Sequence, residues 1–307
     1  MIGRRTLLLA GLGLAVGGCA AGDEPQPAAS GEGSVVEPDQ GSTTEPPTVR
    51  TGQVEFVMPG FPAMRVFTAV SGDPTRARPV VVCHGVLRNA EEYRDAWVPL
   101  VEGRDAVVIA PEFTTEDHPG AARYNLGGMA AEDERRLRDP ATWTFALVEP
   151  LVREVAAGLG ARTDRFSMFG HSAGAQFVHR YLAFVPDAPA ERAVAANAGW
   201  YTLPDPSVRF PYGLKRAPEV DAAGFVGRDL VVMLGGDDVE DENLRTDNQA
   251  RDQGDTRLER GLRFYRAGRR EAQRLGVPFG WGLHVVPGVR HEHGDMAAVA
   301  APLLLAG

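Results

Sequence analysis

The chain has 307 residues, enough for one large α/β domain or two small ones, and its 44% hydrophobic and 24% charged content suits a globular protein with a real core. A formal net charge of −9, with no basic stripe interleaved with aromatics, argues against a nucleic-acid partner. The cysteines, Cys19 and Cys83, give no disulfide framework.

Arg4 and Arg5 precede a short apolar run, Leu7 to Val16, which ends in Val16-Gly17-Gly18-Cys19. A charged start, a short apolar core and small residues at the cleavage point read as an export signal rather than a spanning helix. The paired arginines point to the folded-protein export route. Val-Gly-Gly-Cys resembles a bacterial lipobox. That resemblance implies that residues 1–19 are a lipoprotein-type signal and that Cys19 becomes the lipidated first residue of the mature chain. The expected location is extracytoplasmic, on the cell membrane; a plain secretory signal, giving a secreted protein, is the alternative. Removing residues 1–18 takes away two arginines and no acid, so on an anionic membrane the lipid alone would do the holding. Gly11-x-Gly13 has no strand before it and is read as part of the signal, not as a dinucleotide fingerprint. Residues 20–51 are rich in Pro, Gly, Ser, Thr and acids; they cannot bury enough surface to offset ordering entropy and are read as a tether.

Residues 52–307 read as one domain without internal repeats. Gln53 to Val57 and Met64 to Val70 predict an opening hairpin across Pro59-Gly60-Phe61-Pro62. Continuous apolar runs at Pro79 to Cys83 and Ala106 to Ala110 predict strands covered on both faces. A helix is predicted over Ala90 to Val101, and another over Pro140 to Leu159 from the stripe Leu147, Leu151, Val155, Leu159. Then follow a strand at Arg165 to Phe169 with its helix, strands at Ala193 to Asn197, Leu230 to Leu234 and Trp281 to Val286, and helices at Thr256 to Leu275 and Met296 to Leu305. Such alternation predicts a mostly parallel α/β sheet with helices on both faces. Two long Gly- and Pro-rich excursions, 112–139 and 198–228, carry Tyr124, Trp200, Tyr201, Phe210 and Tyr212. Sheets of this class place binding surfaces on excursions from strand carboxyl ends, so Tyr124, Trp200 and Tyr201 are expected to line a substrate pocket.

The domain is organised around Gly170-His171-Ser172-Ala173-Gly174. It sits between a strand-like run and a helical pattern with Phe177, Val178, Tyr181, Leu182 and Val185 on one face. This is the context in which G-x-S-x-G forms a nucleophile elbow: a strained turn exposes the serine hydroxyl, and the glycines leave room for the bend. A serine hydroxyl needs a base, and the base needs an orienting acid. Such partners follow in the order acid, then histidine, each after a later strand. Leu234-Gly235-Gly236-Asp237-Asp238 offers Asp237 and Asp238; Pro287-Gly288-Val289-Arg290-His291 offers His291, with His293 two residues on.

From about residue 79 the chain resembles an α/β-hydrolase, most similar to bacterial esterases of the polyhydroxybutyrate-depolymerase and feruloyl-esterase type. The carrying motifs are His84-Gly85 after a strand, Gly170-His171-Ser172-Ala173-Gly174, Gly235-x-x-Asp238 and Gly288-x-x-His291. The resemblance implies an α/β-hydrolase fold and a catalytic set of Ser172, Asp238 and His291. It favours Asp238 over Asp237 and His291 over His293, and it assigns the oxyanion hole to the backbone N–H groups of Val86 and Ala173. It implies a serine hydrolase cleaving small or polymeric carboxylic esters through an acyl-enzyme, with no cofactor and with the membrane met only through the lipid. Two further readings stay open: a peptidase or amidase on the same fold, and a surface binding protein that has lost the chemistry.

His84 is expected to brace its turn rather than carry protons. His291-Glu292-His293 lacks a third partner for a metal, and none is expected. The acids of 237–242 are read as a solvated rim, the arginines from Arg257 to Arg274 as a solvated helix face, and Cys83 as an inert core thiol.

Overall fold

The protein is described from a computed structural model covering residues 48–131, 136–240 and 242–305. The expected export signal, Cys19 and the tether up to residue 47 lie outside the described residues.

Eight strands form one sheet: Arg50–Phe56 (β1), Met64–Ser71 (β2), Pro79–Cys83 (β3), Ala106–Pro111 (β4), Phe166–His171 (β5), Ala190–Ala196 (β6), Leu230–Gly235 (β7) and Gly282–Val286 (β8). Their order across the sheet is β1-β2-β4-β3-β5-β6-β7-β8. The opening hairpin pairs antiparallel, Arg50 facing Val70 and Phe56 facing Met64, and β2 runs antiparallel to β4. From β4 through β8 every neighbouring pair is parallel. Central strands of a parallel sheet are covered on both faces, and β3 and β4 are buried along their whole length, as their unbroken apolar runs require.

The helices are Ala90–Val101 (α1), Gly120–Arg123 (α2), Val148–Gly158 (α3), Ala173–Phe184 (α4), Ala222–Gly227 (α5), Asn248–Arg251 (α6), Arg257–Leu275 (α7) and His293–Leu304 (α8). They cover the two faces of the sheet with separate cores. Val81, Ile109 and Met168 join α3, α4 and α7 through Leu151, Phe177 and Phe264 on one face. Val82, Val108 and Phe169 join α1 and α8 through Trp97 and Met296 on the other. Alternate strand residues thus serve opposite cores, the two-residue period of a strand written into one run of valines.

The helix expected from Pro140 begins at Val148 instead. Residues Pro140–Thr142 and Thr144–Leu147 form 3₁₀ turns, separated by Trp143 in extended geometry. The Trp143 indole donates to the Arg138 carbonyl, and the Thr144 hydroxyl donates to the Arg123 carbonyl. These tertiary bonds to the excursion override the helical stripe for two turns. Helix α7 starts as its sequence indicates, with a Thr256–Glu259 capping box, and ends at Gly276 with φ +67°.

Candidate active site

Ser172 stands where β5 turns into α4, with φ 57° and ψ −114°, far from the usual wells of an L-residue. The turn is possible because two side chains are missing. A Cβ on Gly174 would lie 2.0 Å from the Cys83 carbonyl oxygen, and one on Gly170 would lie 2.3 Å from the Gly174 carbonyl oxygen. The Ser172 amide is held by the Ala196 carbonyl of β6 at 2.9 Å.

Two loops at the carboxyl ends of β7 and β8 are laced together beside this turn. The Gly236 and Asp237 amides donate to the carbonyls of Val286 and Val289, at 2.8 and 3.0 Å. Gly235 has no room for a side chain, since its Cβ would meet the Val289 carbonyl oxygen at 2.5 Å. Asn197, in left-handed geometry with φ 52°, ties both loops: its Oδ1 accepts from the Gly235 amide at 2.7 Å and its Nδ2 donates to the Arg290 carbonyl at 3.1 Å.

The lacing brings Asp238 and His291 together, with Nδ1 2.7 Å from Oδ2. Asp238 is 1% exposed, whereas Asp237 is exposed. The other carboxylate oxygen, Oδ1, accepts from Arg257 Nη1 at 3.2 Å. A carboxylate paired to a guanidinium only accepts, so the proton between it and His291 sits on Nδ1 and leaves Nε2 as an acceptor. Arg257 also donates to the carbonyls of Glu240 and Glu242, fixing the loop that carries Asp238. Arg257 and Arg260 are buried, against the expectation of a solvated arginine face; the exposed stripe on α7 begins at Arg263. Helical spacing alone does not reveal an arginine drawn inward by a carboxylate on another loop.

Ser172 and His291 line one cavity of about 270 Å³, together with Val86, Leu87, Glu92 and Glu292. The hydroxyl and imidazole share its wall without a hydrogen bond between them. Among the described residues no hydrogen bond takes up the amides of Val86 and Ala173. Val86 itself is 49% exposed at the cavity mouth. His171 underlies His291, ring centroids 4.5 Å apart, and its Nδ1 lies 3.0 Å from the Tyr93 hydroxyl. Burial above all, then the neighbouring His291, His293 and Arg257, holds His171 well below the ordinary imidazole range and therefore neutral. His293 packs on Tyr93 at 4.1 Å, its basicity also lowered mainly by burial, and its ring does not reach Asp238.

His84 braces the loop that presents Val86. Its Nδ1 bonds the Gly85 carbonyl at 2.9 Å, its Nε2 accepts from the Phe113 amide at 3.0 Å, and burial pushes its pKa down to about 3. Arg88, at φ 64°, donates from behind this loop to the carbonyls of Phe113, His118 and Gly120. Tyr124, Trp200 and Tyr201 do not reach the cavity. Tyr124 is fully buried and donates to the His84 carbonyl at 2.7 Å; Tyr201 stacks on Phe264; Trp200 lies against Tyr212 and Arg180. Tyr124 and Tyr201 join the core beneath the sheet that holds Phe177 and Phe264, and Trp200 packs in a small cluster with Leu126 and Tyr212.

Among the described residues, no group of three or more His, Cys, Asp or Glu is arranged to hold a metal ion. No helix among them is long and apolar enough to cross a membrane. A larger cavity of about 360 Å³ sits at the amino ends of the strands; among its arginines Arg76, Arg78 and Arg192 pair with Asp105, Glu191 and Asp229.

No protein-family model and no curated protein matches this chain. Solved structures do. The chain is similar to poly(aspartic acid) hydrolase-1 from Sphingomonas sp. KT-1, at 37% identity and a TM-score of 0.78, over 83% of this chain and 98% of that one. It is similar to LpqC, a poly(3-hydroxybutyrate) depolymerase from Bordetella parapertussis, at 36% identity and a TM-score of 0.77, over 83% and 89% of the two chains. An S-formylglutathione hydrolase from Agrobacterium tumefaciens, at 17% identity and a TM-score of 0.53, shares the fold. At 37% and 36% identity to two hydrolases over 83% of its length, this chain belongs to the α/β-hydrolase superfamily and is an esterase-like hydrolase.

Proposed function

We propose that the protein cleaves carboxylic esters through an acyl-enzyme on Ser172. His291 Nε2 takes the hydroxyl proton as Ser172 attacks the carbonyl, and Asp238 holds the ring with Nδ1 protonated and stabilises the imidazolium. The amides of Val86 and Ala173 receive the developing oxyanion, a contribution of about 10²–10³ in rate for each donor. His291 then returns the proton to the leaving group and activates the water that frees the enzyme. The observation that carries this reading is the 2.7 Å Asp238–His291 contact, made in a cavity that Ser172 also lines at the tip of its strained turn.

The test is turnover of p-nitrophenyl esters of graded chain length, which also gives the acyl range. An amide reading has support in the similarity to poly(aspartic acid) hydrolase-1, whose named polymer is linked by amides. Cleavage of matched amides but not esters would favour it.

The mature protein is proposed to be exported and held outside the cytoplasm by a lipid on Cys19, from the Arg4-Arg5 start and the Val-Gly-Gly-Cys sequence. Cys19→Ser should abolish fatty-acid labelling and shift the protein from the membrane to the soluble fraction; unchanged membrane recovery would refute the anchor.

A further inference from the structure

The serine cavity is lined by only two formally charged side chains among the described residues, Glu92 and Glu292. No lysine or arginine lines it. Glu92 accepts from Asn89 Nδ2 at 2.6 Å, a neutral donor that leaves its charge in place, and no cation pairs with Glu292 among the described residues. Both carboxylates act on the same two rings: each raises Tyr93 and His293, which places them around one spot. The nearby cations are committed elsewhere. Arg290 pairs with Glu240, Arg257 is buried on Asp238, and Arg88 is spent on three carbonyls behind the loop.

The same wall holds buried polar atoms that no described residue satisfies: Asn89 Oδ1, His171 Nε2 and His293 Nε2. The charged groups at the rim are the exposed carboxylates of Glu92 and Glu292. A ligand group suited to them donates hydrogen bonds or carries positive charge; a carboxylate would meet repulsion and no counter-ion.

We infer that the cavity selects esters whose group beside Ser172 is hydroxylated or cationic and that it rejects polyanionic chains. The inference rests on the serine-esterase reading above and specifies its substrate class. It also separates this protein from the poly(aspartic acid) hydrolase it resembles, whose named polymer carries carboxylates.

The test uses three aryl esters of one six-carbon acyl chain ending in trimethylammonium, hydroxyl or carboxylate. Two carboxylates a few ångströms from the charge, in a mostly aqueous mouth, should separate the cationic from the anionic ester by about tenfold or more in kcat/KM. The hydroxyl ester should also exceed the carboxylate ester. The double variant Glu92→Gln/Glu292→Gln should bring the cation-to-anion ratio toward one, as should about 1 M salt, which screens charges beyond about 3 Å. A carboxylate ester cleaved as well as the other two, or a ratio unchanged in the double variant, would overturn the inference while leaving the esterase intact. Absence of turnover of all three, with no fluorophosphonate labelling, would instead overturn the esterase reading and this inference with it.

Discussion

Arg257 and Asp238 form an ion pair sealed from solvent, Nη1 to Oδ1 at 3.2 Å, with side chains 2% and 1% exposed. The pair joins the first turn of α7 to the loop that orients His291. Removing one partner of a buried pair leaves an uncompensated charge, at a cost of about 3–5 kcal/mol. Arg257→Met should therefore lower the melting temperature and reduce kcat more than it changes KM. Without the guanidinium, the loop that carries Asp238 also loses its bonds to the Glu240 and Glu242 carbonyls, so His291 is held less well. Arg257→Lys should restore much of both. A variant with lowered melting temperature but unchanged kcat would reduce Arg257 to a packing role.

The elbow glycines make a sharper steric prediction. Gly174→Ala places a methyl group 2.0 Å from the Cys83 carbonyl and 2.7 Å from that of His84, both backbone atoms that cannot move aside. The variant should be insoluble or inactive. Gly158, the last residue of α3, has open space around its missing Cβ. Gly158→Ala should stabilise the fold by about 0.5–1 kcal/mol. Thermal denaturation of both variants checks the contrast.

Much of this was legible in the sequence, for identifiable reasons. The parallel strands β3, β4 and β7 are unbroken apolar runs, and β3 and α1 fall at the predicted residues. Ser172, Asp238 and His291 each follow a strand, and a parallel sheet gathers its carboxyl ends on one rim. What stayed hidden depends on contacts between distant segments. Arg257 reads as one of many helix arginines until Asp238 is placed beside it. Asn197 reads as a strand end until Gly235 and Arg290 approach it. The aromatics of 112–139 and 198–228 read as pocket walls because composition does not distinguish a wall from a side chain drawn into the core, as Tyr124, Tyr201 and Phe210 are.

Asn197 offers a second test of how the site is held. Asn197→Gly keeps the left-handed geometry while deleting both loop-tying bonds. Steady-state kinetics should show kcat falling by about ten- to a hundredfold with KM little changed, since misplacement by about 1 Å carries that penalty. An unaltered kcat would show that the backbone lacing suffices.

The buried histidines set the response to acid. His84, His171 and His179 all lie below their ordinary range, burial being the largest cause in each, and none of them protonates readily in the fold. The unfolded chain binds these protons near pH 6.5, so between the folded and unfolded values it carries more of them. Stability should therefore fall as pH drops below about 6.5, by about 1.4 kcal/mol per pH unit for each such histidine. For His84 the window extends down to about 3. Urea unfolding across this range should show the slope, and His179→Gln should flatten it by about one histidine's share.

The central claim concerns one oxygen atom. Purified wild-type protein should turn over p-nitrophenyl esters and take up a fluorophosphonate at Ser172, whereas Ser172→Ala should take up none and lose turnover by about 10⁴-fold or more. Ester hydrolysis persisting in Ser172→Ala near the wild-type rate would contradict the account.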